Sequence, residues 1–295
     1  MDLIDVALSR ILLENSRTPY SKMAEEVGIS TQAVHRRIQS LREQGILRDT
    51  IVRPSLRSMG LTHVIIFGWS KSKSISEVVS RLAENPSIAI MQVASGNYVY
   101  VHAGIKSADQ LAKVVTFVQQ EAKISSPTVG IVSGPEPSAP DPLTRSDMKI
   151  ISSLREDSRK SVALVSAEIG MTAKTVRKRL HRMVEEDLVS FSVHWRPDAQ
   201  GDTMSKLHII LNEEVDREKV AVSLISRFSD NVINVISFSN LPNLILVTIW
   251  TESVRDMNRL CKSLESEGLV ESVTPVVLLD IHYYRASGSE RPLER

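Results

Sequence analysis

The sequence predicts an α+β protein in which one plan, three helices followed by an α/β segment, is used twice. Three observations predict it. First, Asp5–Arg48 reappears without a gap about 142 residues later as 147–190. Asp5, Leu12, Glu14, Ser16, Arg17, Glu26, Gly28, Val34, Arg37 and Glu43 recur as Asp147, Leu154, Glu156, Ser158, Arg159, Glu168, Gly170, Val176, Arg179 and Glu185. Second, after Pro54 the apolar period changes from helical to a mixture of strand and helix. Third, GPEPSAPDP, with Pro135, Pro137, Pro140 and Pro142, is too stiff and too poor in donors for helix or sheet, and divides the chain in two. A duplication of this size lets one chain do the work of a symmetric dimer.

The elements follow in order. Residues 2–14 carry Leu3, Val6, Ala7, Leu8, Ile11 and Leu12 at helical spacing. Pro19 opens a second helix with Met23, Ala24 and Val27 inward, and Gly28 stops it, because glycine takes the left-handed C-cap backbone without steric cost. Ser30 caps a third helix whose buried stripe is Val34, Ile38 and Leu41, and Gly45 ends it. Residues 46–53 read as a short two-stranded wing. Strands are expected at 62–69, 87–94, 98–105 and 127–132, with helices at 75–84 and 107–120 and a hairpin turn at Ser95-Gly96-Asn97. That β-α-β-β-α-β order is ferredoxin-like.

The second half repeats the plan. Three helices lie within 145–189, with Gly170 at the turn and Thr172 as a cap. Strands are expected near 204–212, 232–239, 244–251 and 271–282, and helices near 216–228 and 253–266, with the hairpin turn now at 240–243. The domain reading is therefore 1–53, a winged helix-turn-helix; 54–134, ferredoxin-like; 135–144, linker; 145–196, a second winged helix-turn-helix; 197–285, a second ferredoxin-like domain; and 286–295, a polar, disordered tail.

With 295 residues, 42% apolar and 24% charged, the chain has the composition of an ordinary soluble protein. No apolar run approaches the roughly 20 residues of a membrane span, so no membrane partner is expected. MDLIDVALSR has acids where a signal peptide needs positive charge, and the single cysteine, Cys261, fits a reducing cytosol. Cys261 shares a helical face with Val254, Met257 and Leu264 and reads as core rather than nucleophile. The net charge of +1 hides a local asymmetry: residues 174–182, KTVRKRLHR, form a basic block with no acid in it. The scattered histidines offer no metal-ligand spacing, and no glycine-rich phosphate loop, nucleophile elbow or dinucleotide fingerprint occurs, so neither cofactor nor metal is expected.

A short third helix held against a second by a tight glycine turn is the helix-turn-helix arrangement. One face of the third helix packs inward, and the other is the size of a DNA major groove. The outward positions of the first copy are Thr31, Gln32, His35, Arg36 and Gln39. Gln32 suits an adenine edge and Arg36 a guanine or a phosphate. Arg37 lies nearer the buried side and reaches either a phosphate or a neighbouring acid. The second copy offers Ala173, Lys174, Arg177, Lys178 and His181, with Arg179 and Arg182 alongside. Lysines specify bases poorly, so this copy is expected to supply phosphate affinity and the first more of the discrimination. Three-helix units also serve as protein-docking modules, but two copies with caps, turn glycines and basic outer faces in register favour double-stranded DNA.

The stretch from Asp5 to Leu47 resembles the Lrp/AsnC family of transcriptional regulators: an initial Asp, an N-x-R-like element at Asn15–Arg17, G-I-S at 28–30, and V-x-x-R-I-x-x-L-x-x-x-G-I from Val34 to Ile46. The second copy departs from it where Asp187 replaces the helix-ending Gly45. The resemblance implies a covalent pseudo-dimer, with recognition helices about 34 Å apart for successive major grooves and an asymmetric operator. It also implies a small-molecule effector such as an amino acid, near the turn between the second and third strands. Gly96 and Asn97 carry over by position, with Asn97 in place of the usual Asp. The second copy has Asn240 and Asn243 there and lacks the glycine; a plain hairpin turn explains these residues as well. Regulation would come from such an effector or from further homo-oligomerisation.

Two other readings stay open. The chain resembles siroheme decarboxylases, enzymes of the same fold that hold tetrapyrrole carboxylates with His, Tyr and Arg side chains, and 240–250 is similar to their Pro-x-Asn-Leu region. Against it, no His or Arg lies between Asn231 and Trp250, and His102 stands alone beyond the first turn. An RNA-binding or architectural reading casts Phe67, Trp69, Tyr98 and Tyr100 as stacking platforms, although aromatics make up 4% of the chain and sheet faces in the family pack together.

Overall fold

The computed structural model describes residues 1–56, 58–134, 143–196, 202–213, 215–266 and 268–284. The expected linker and tail lie outside these residues, apart from the linker's last two. The described chain forms two compact units, 1–61 with 135–200 and 62–134 with 201–295. Each unit thus takes one part from each half of the repeat.

The first unit holds both helix-turn-helix copies. In copy one these are α1 (Leu3–Glu14), α2 (Tyr20–Val27) and α3 (Thr31–Glu43), followed by β1 (Leu47–Pro54). Copy two has α6 (Arg145–Ser153), α7 (Val162–Ile169) and α8 (Ala173–Glu185), followed by β6 (Val189–Trp195). Gly28 and Gly170 end α2 and α7 in the left-handed conformation, and Ser30 and Thr172 cap α3 and α8 through their side chains. Asp187, the residue in place of Gly45, adopts the same left-handed backbone, at φ 51 against 72. Aspartate tolerates that region better than most residues, so the turn survives the replacement.

The expected wing is corrected. Residues 47–54 form one strand, and its antiparallel partner is β6 of the other copy. Thr50 pairs with Val193 and Ile51 with Ser192, so one repeat step converts each pair into the other. The strand that would have closed a local hairpin closes the pseudo-dimer instead.

The second unit contains β2 (Thr62–Trp69), α4 (Ile75–Leu82), β3 (Ile88–Ala94), β4 (Tyr98–Ile105), α5 (Ala108–Glu121) and β5 (Thr128–Ile131). Their counterparts are β7 (Thr203–Leu211), α9 (Arg217–Arg227), β8 (Val232–Ser237), β9 (Leu244–Thr251), α10 (Val254–Glu265) and β10 (Val270–Tyr283). The sheet order is β5-β2-β4-β3-β10-β7-β9-β8, two ferredoxin-like sets joined because the long β10 pairs first with β7 and then with β3. A Val132–Phe238 bridge ties the ends beyond β5 and β8, so the two outer strands meet. On the helix side of each set lies an apolar core, Val64, Ile66, Val99 and Val118 in one and Leu207, Ile209, Val247 and Leu260 in the other. Cys261 is buried in the second core with Met257 and Leu264, while Val254 of the same helix is half exposed.

Candidate nucleic-acid interface

The third helices of the two copies, α3 and α8, are mounted on a frame with two-fold character. Ser16 Oγ and Ser158 Oγ, one repeat apart, lie 2.6 Å from each other and mark the pseudo-dyad. Across it the arginines exchange places: Arg17 donates to the carbonyls of Ser158 and Lys160, and Arg159 to those of Ser16 and Thr18. Burial lowers both guanidinium pKa values, and for Arg17 the nearby Arg159 adds to the effect. Ser16–Arg17 and Ser158–Arg159 stand out in the sequence as repeated pairs, but a periodicity argument gives no reason to bring them together.

On α3, Val34, Ile38 and Leu41 are buried, and Thr31, Gln32, His35, Arg36 and Gln39 are exposed. Gln39 donates to Glu43 at 3.0 Å, and His35 meets the Tyr20 ring edge-on. On α8, Val176, Leu180 and Met183 are buried, while Lys174, Arg177, Lys178 and His181 are exposed. His181 lies 3.6 Å from Glu185.

Three of the sequence-assigned DNA ligands, all arginines, pair with acids outside their own helix. Arg37 binds Asp2 and Asp5, both at 2.8 Å, which resolves its open alternative in favour of an acid. Arg179 and Arg182 both hold Asp147, at 3.0 and 2.8 Å, and Arg182 also reaches Glu186 at 3.6 Å. The Asp147 side chain is fully buried. Burial works to raise its pKa, but hydrogen bonds from Thr144 and the arginines outweigh that and hold it below the usual carboxylate range. A buried carboxylate needs such donors. The sequence signal for this pairing was present: Asp5/Arg37 and Asp147/Arg179 recur unchanged while the outward positions between them diverge.

The turn residues behave differently from one another. Gly96 and Asn97 are exposed and left-handed at φ 68 and 59. Asn243 is exposed. The Asn240 amide donates to the Val129 carbonyl at 2.8 Å and accepts from the Ile131 N–H at 2.7 Å, so it extends the edge of β5.

A buried polar cluster occupies the face of the α/β unit opposite its cores. Phe67 and Tyr100 meet His208 and Phe238 there, so these strand aromatics are enclosed, while Trp69 is exposed and stacks edge-on against Tyr98. Tyr100 Oη lies 2.6 Å from His208 Nε2, and His63 Nε2 lies 3.1 Å from His102 Nδ1. Lys206, 1% exposed, donates to Thr248 Oγ1 at 3.1 Å and sits over the Tyr100 ring. Burial pushes Lys206 down to about 8 and, with help from that ammonium, His63 and His208 down to about 4. Sequence reasoning missed this cluster because its histidines are far apart in the chain. Among the described residues no group of His, Cys, Asp and Glu is arranged to hold a metal ion, and no helix is long and apolar enough to cross a membrane.

Comparison with known proteins adds to this geometry. The model of the AsnC-type helix-turn-helix domain matches residues 1–42 and again 143–184. An HTH-type transcriptional regulator of Pyrococcus furiosus is 30% identical over 116 residues, 37% of this chain and 78% of the relative. The chain belongs to the Lrp/AsnC family of transcriptional regulators. The regulatory protein AsnC of Haemophilus influenzae is a second such relative, 28% identical over 100 residues, 33% of this chain and 67% of AsnC. Each of these two relatives thus corresponds to about one third of the chain, in keeping with the tandem duplication. Over its whole length the fold is similar to the siroheme decarboxylase NirDL, with a TM-score of 0.58, 14% identity, and 96% of this chain and 93% of that one covered. At that identity the likeness is one of fold.

Proposed function

We propose that this chain is a sequence-specific, double-stranded DNA-binding regulator working as an intrachain pseudo-dimer. One observation carries the reading. Two helix-turn-helix copies are joined through the Ser16–Ser158 contact and the β1–β6 pairing, and each leaves the polar face of its third helix open to solvent. Phosphate contacts supply most of the affinity, drawn from Lys174, Arg177, Lys178 and Arg36, while Thr31, Gln32, His35 and Gln39 supply discrimination. Arg37, Arg179 and Arg182 hold the fold together through their acids. The two faces differ, so the operator is asymmetric. An effector, if it uses the turn at 95–97, meets Gly96 and Asn97 and has no equal site at Asn240.

Retention of genomic duplexes on a native gel tests the reading. Arg36→Ala and Lys178→Ala together are expected to weaken binding by at least tenfold with the thermal unfolding midpoint unchanged. Undiminished retention by this folded double variant contradicts it.

The His63–His102–Lys206–His208–Tyr100 cluster gives the enzyme reading a specific footing. However, Tyr100 and Lys206 are closed off from solvent, and Tyr100 is bonded to His208, His63 to His102 and Lys206 to Thr248. A tetrapyrrole the size of siroheme needs its carboxylate-binding groups accessible. Anaerobic addition of siroheme, followed by its absorbance, separates the two: an unchanged spectrum is expected, and a time-dependent change overturns the assignment as a non-enzyme.

A further inference from the structure

The two helix-turn-helix copies differ at one place that the repeat itself calibrates. A groove of about 280 Å³ opens beside α8, lined by Arg17, Val162, Arg177, His181, Val184 and Phe191 among others. Stepping back one repeat from Val162 leads to Tyr20. In that copy the phenol ring fills the corresponding space: the Arg159 guanidinium lies over it, 4.5 Å from its centre, and His35 meets it edge-on at 5.7 Å. In the second copy Arg17 keeps the same type of backbone acceptors that fix Arg159, and Val162 leaves the ring's place open. Arg17 instead reaches the Phe191 ring, at 5.6 Å.

Charge points the same way. The filled copy has carboxylates at Asp49 and Asp157; Phe191 and Asn15 stand at those positions in the groove. Arg17, Arg177 and His181 therefore surround an apolar floor of Val162, Leu180, Val184 and Phe191 with no acid among the lining residues. The nearest carboxylate to His181 is Glu185, at 3.6 Å. The Arg177 side chain makes no hydrogen bond or ion pair to another described residue and is exposed. An apolar pocket with a few convergent cationic groups is the ordinary chemistry of a small-molecule anion site.

The geometry points to a binding site for one aryl carboxylate, a benzene or phenol ring on a short acid chain. The ring takes the place that Tyr20 takes in the first copy, beneath Arg17, and the carboxylate meets Arg177 and His181. Both of those residues lie on the face α8 offers to a duplex, so bound ligand and DNA compete. That consequence rests on the DNA-binding reading; the site itself does not.

Isothermal titration of the full chain with 4-hydroxyphenylacetate tests the site, with 4-hydroxyphenylethanol as the uncharged control. One site per chain is expected, at least tenfold weaker for the alcohol. Val162→Tyr, which installs the ring the first copy already carries, is expected to weaken binding at least tenfold while leaving the circular-dichroism melt unchanged. Arg177→Ala, at an exposed position, is expected to do the same and covers the case in which the tyrosine variant does not fold. No heat of binding to the natural chain, or binding undiminished in either folded variant, overturns the proposal. A second titration in the presence of a retained duplex reads the competition: ligand binding unaffected by DNA counts against the regulatory consequence and leaves the groove assignment standing.

Discussion

Lys206 shows what a single buried charge does to this molecule. It is 1% exposed, has one hydroxyl partner in Thr248, and burial alone brings it from 10.5 to about 8. Because its folded pKa lies below its unfolded one, the folded state gains stability as pH rises from about 8 to 10.5. Lys206→Met is therefore expected to raise stability by roughly 2 kcal/mol at neutral pH, an advantage that disappears above pH 10.5. Urea titrations at pH 7 and pH 10.5 measure it, and an equal difference at both pH values contradicts the burial argument. His63 and His208 act in the same direction on the acid side: their contribution is complete above 6.5 and is lost as pH falls toward 4. The arginines of α3 divide by the same kind of reasoning. Arg37→Ala removes two ion pairs at 2.8 Å that are partly exposed and is expected to cost about 1 kcal/mol of stability. Arg36→Ala leaves stability within error and lowers DNA affinity. Denaturant midpoints paired with gel retention distinguish these, and a stability loss confined to Arg36→Ala reverses the assignment.

At the scale of the element, α3 and α8 have the same buried stripe and different exposed faces. Lys174→Ala in α8 is expected to reduce the slope of log affinity against log salt by about 1 without changing base preference. Gln32→Ala in α3 is expected to relax preference at one base pair with the slope unchanged. Salt titrations on matched and mismatched duplexes check both, and base preference that moves with Lys174 rather than Gln32 removes the division of labour. Most elements were legible in advance because their signals are local: Gly28 and Gly170 as stops, Ser30 and Thr172 as caps, short apolar runs at 62–69 and 98–105. The wing was misread because a strand carries no mark of its partner, and β1 finds β6 across 142 residues of sequence. The bonding of Asn240 is hidden for a similar reason, since its two hydrogen bonds go to a strand more than one hundred residues away in sequence. Arg179 and Arg182 look like ligands in a basic run until the fold brings a buried Asp147 to them.

At the scale of the molecule, duplication turns one self-complementary contact into a contact between two different surfaces. Ser16 and Ser158 still meet as equals, and Arg17 and Arg159 still exchange acceptors. Away from that axis the copies diverge: Tyr20 against Val162, His35 against Arg177, Gln39 against His181. A homodimer cannot hold such differences, because each change appears on both sides. Fusion lets α3 and α8 carry different exposed residues and leaves a groove open beside α8, where Tyr20 fills the matching space in the first copy.

Selection of bound duplexes from random sequence, run at two salt concentrations, tests the central claim most directly. The account predicts one asymmetric motif whose better-defined half changes with Gln32→Ala and whose other half loses affinity but not sequence with Lys178→Ala. A palindromic motif, or enrichment that salt alone governs with no motif at either concentration, contradicts it.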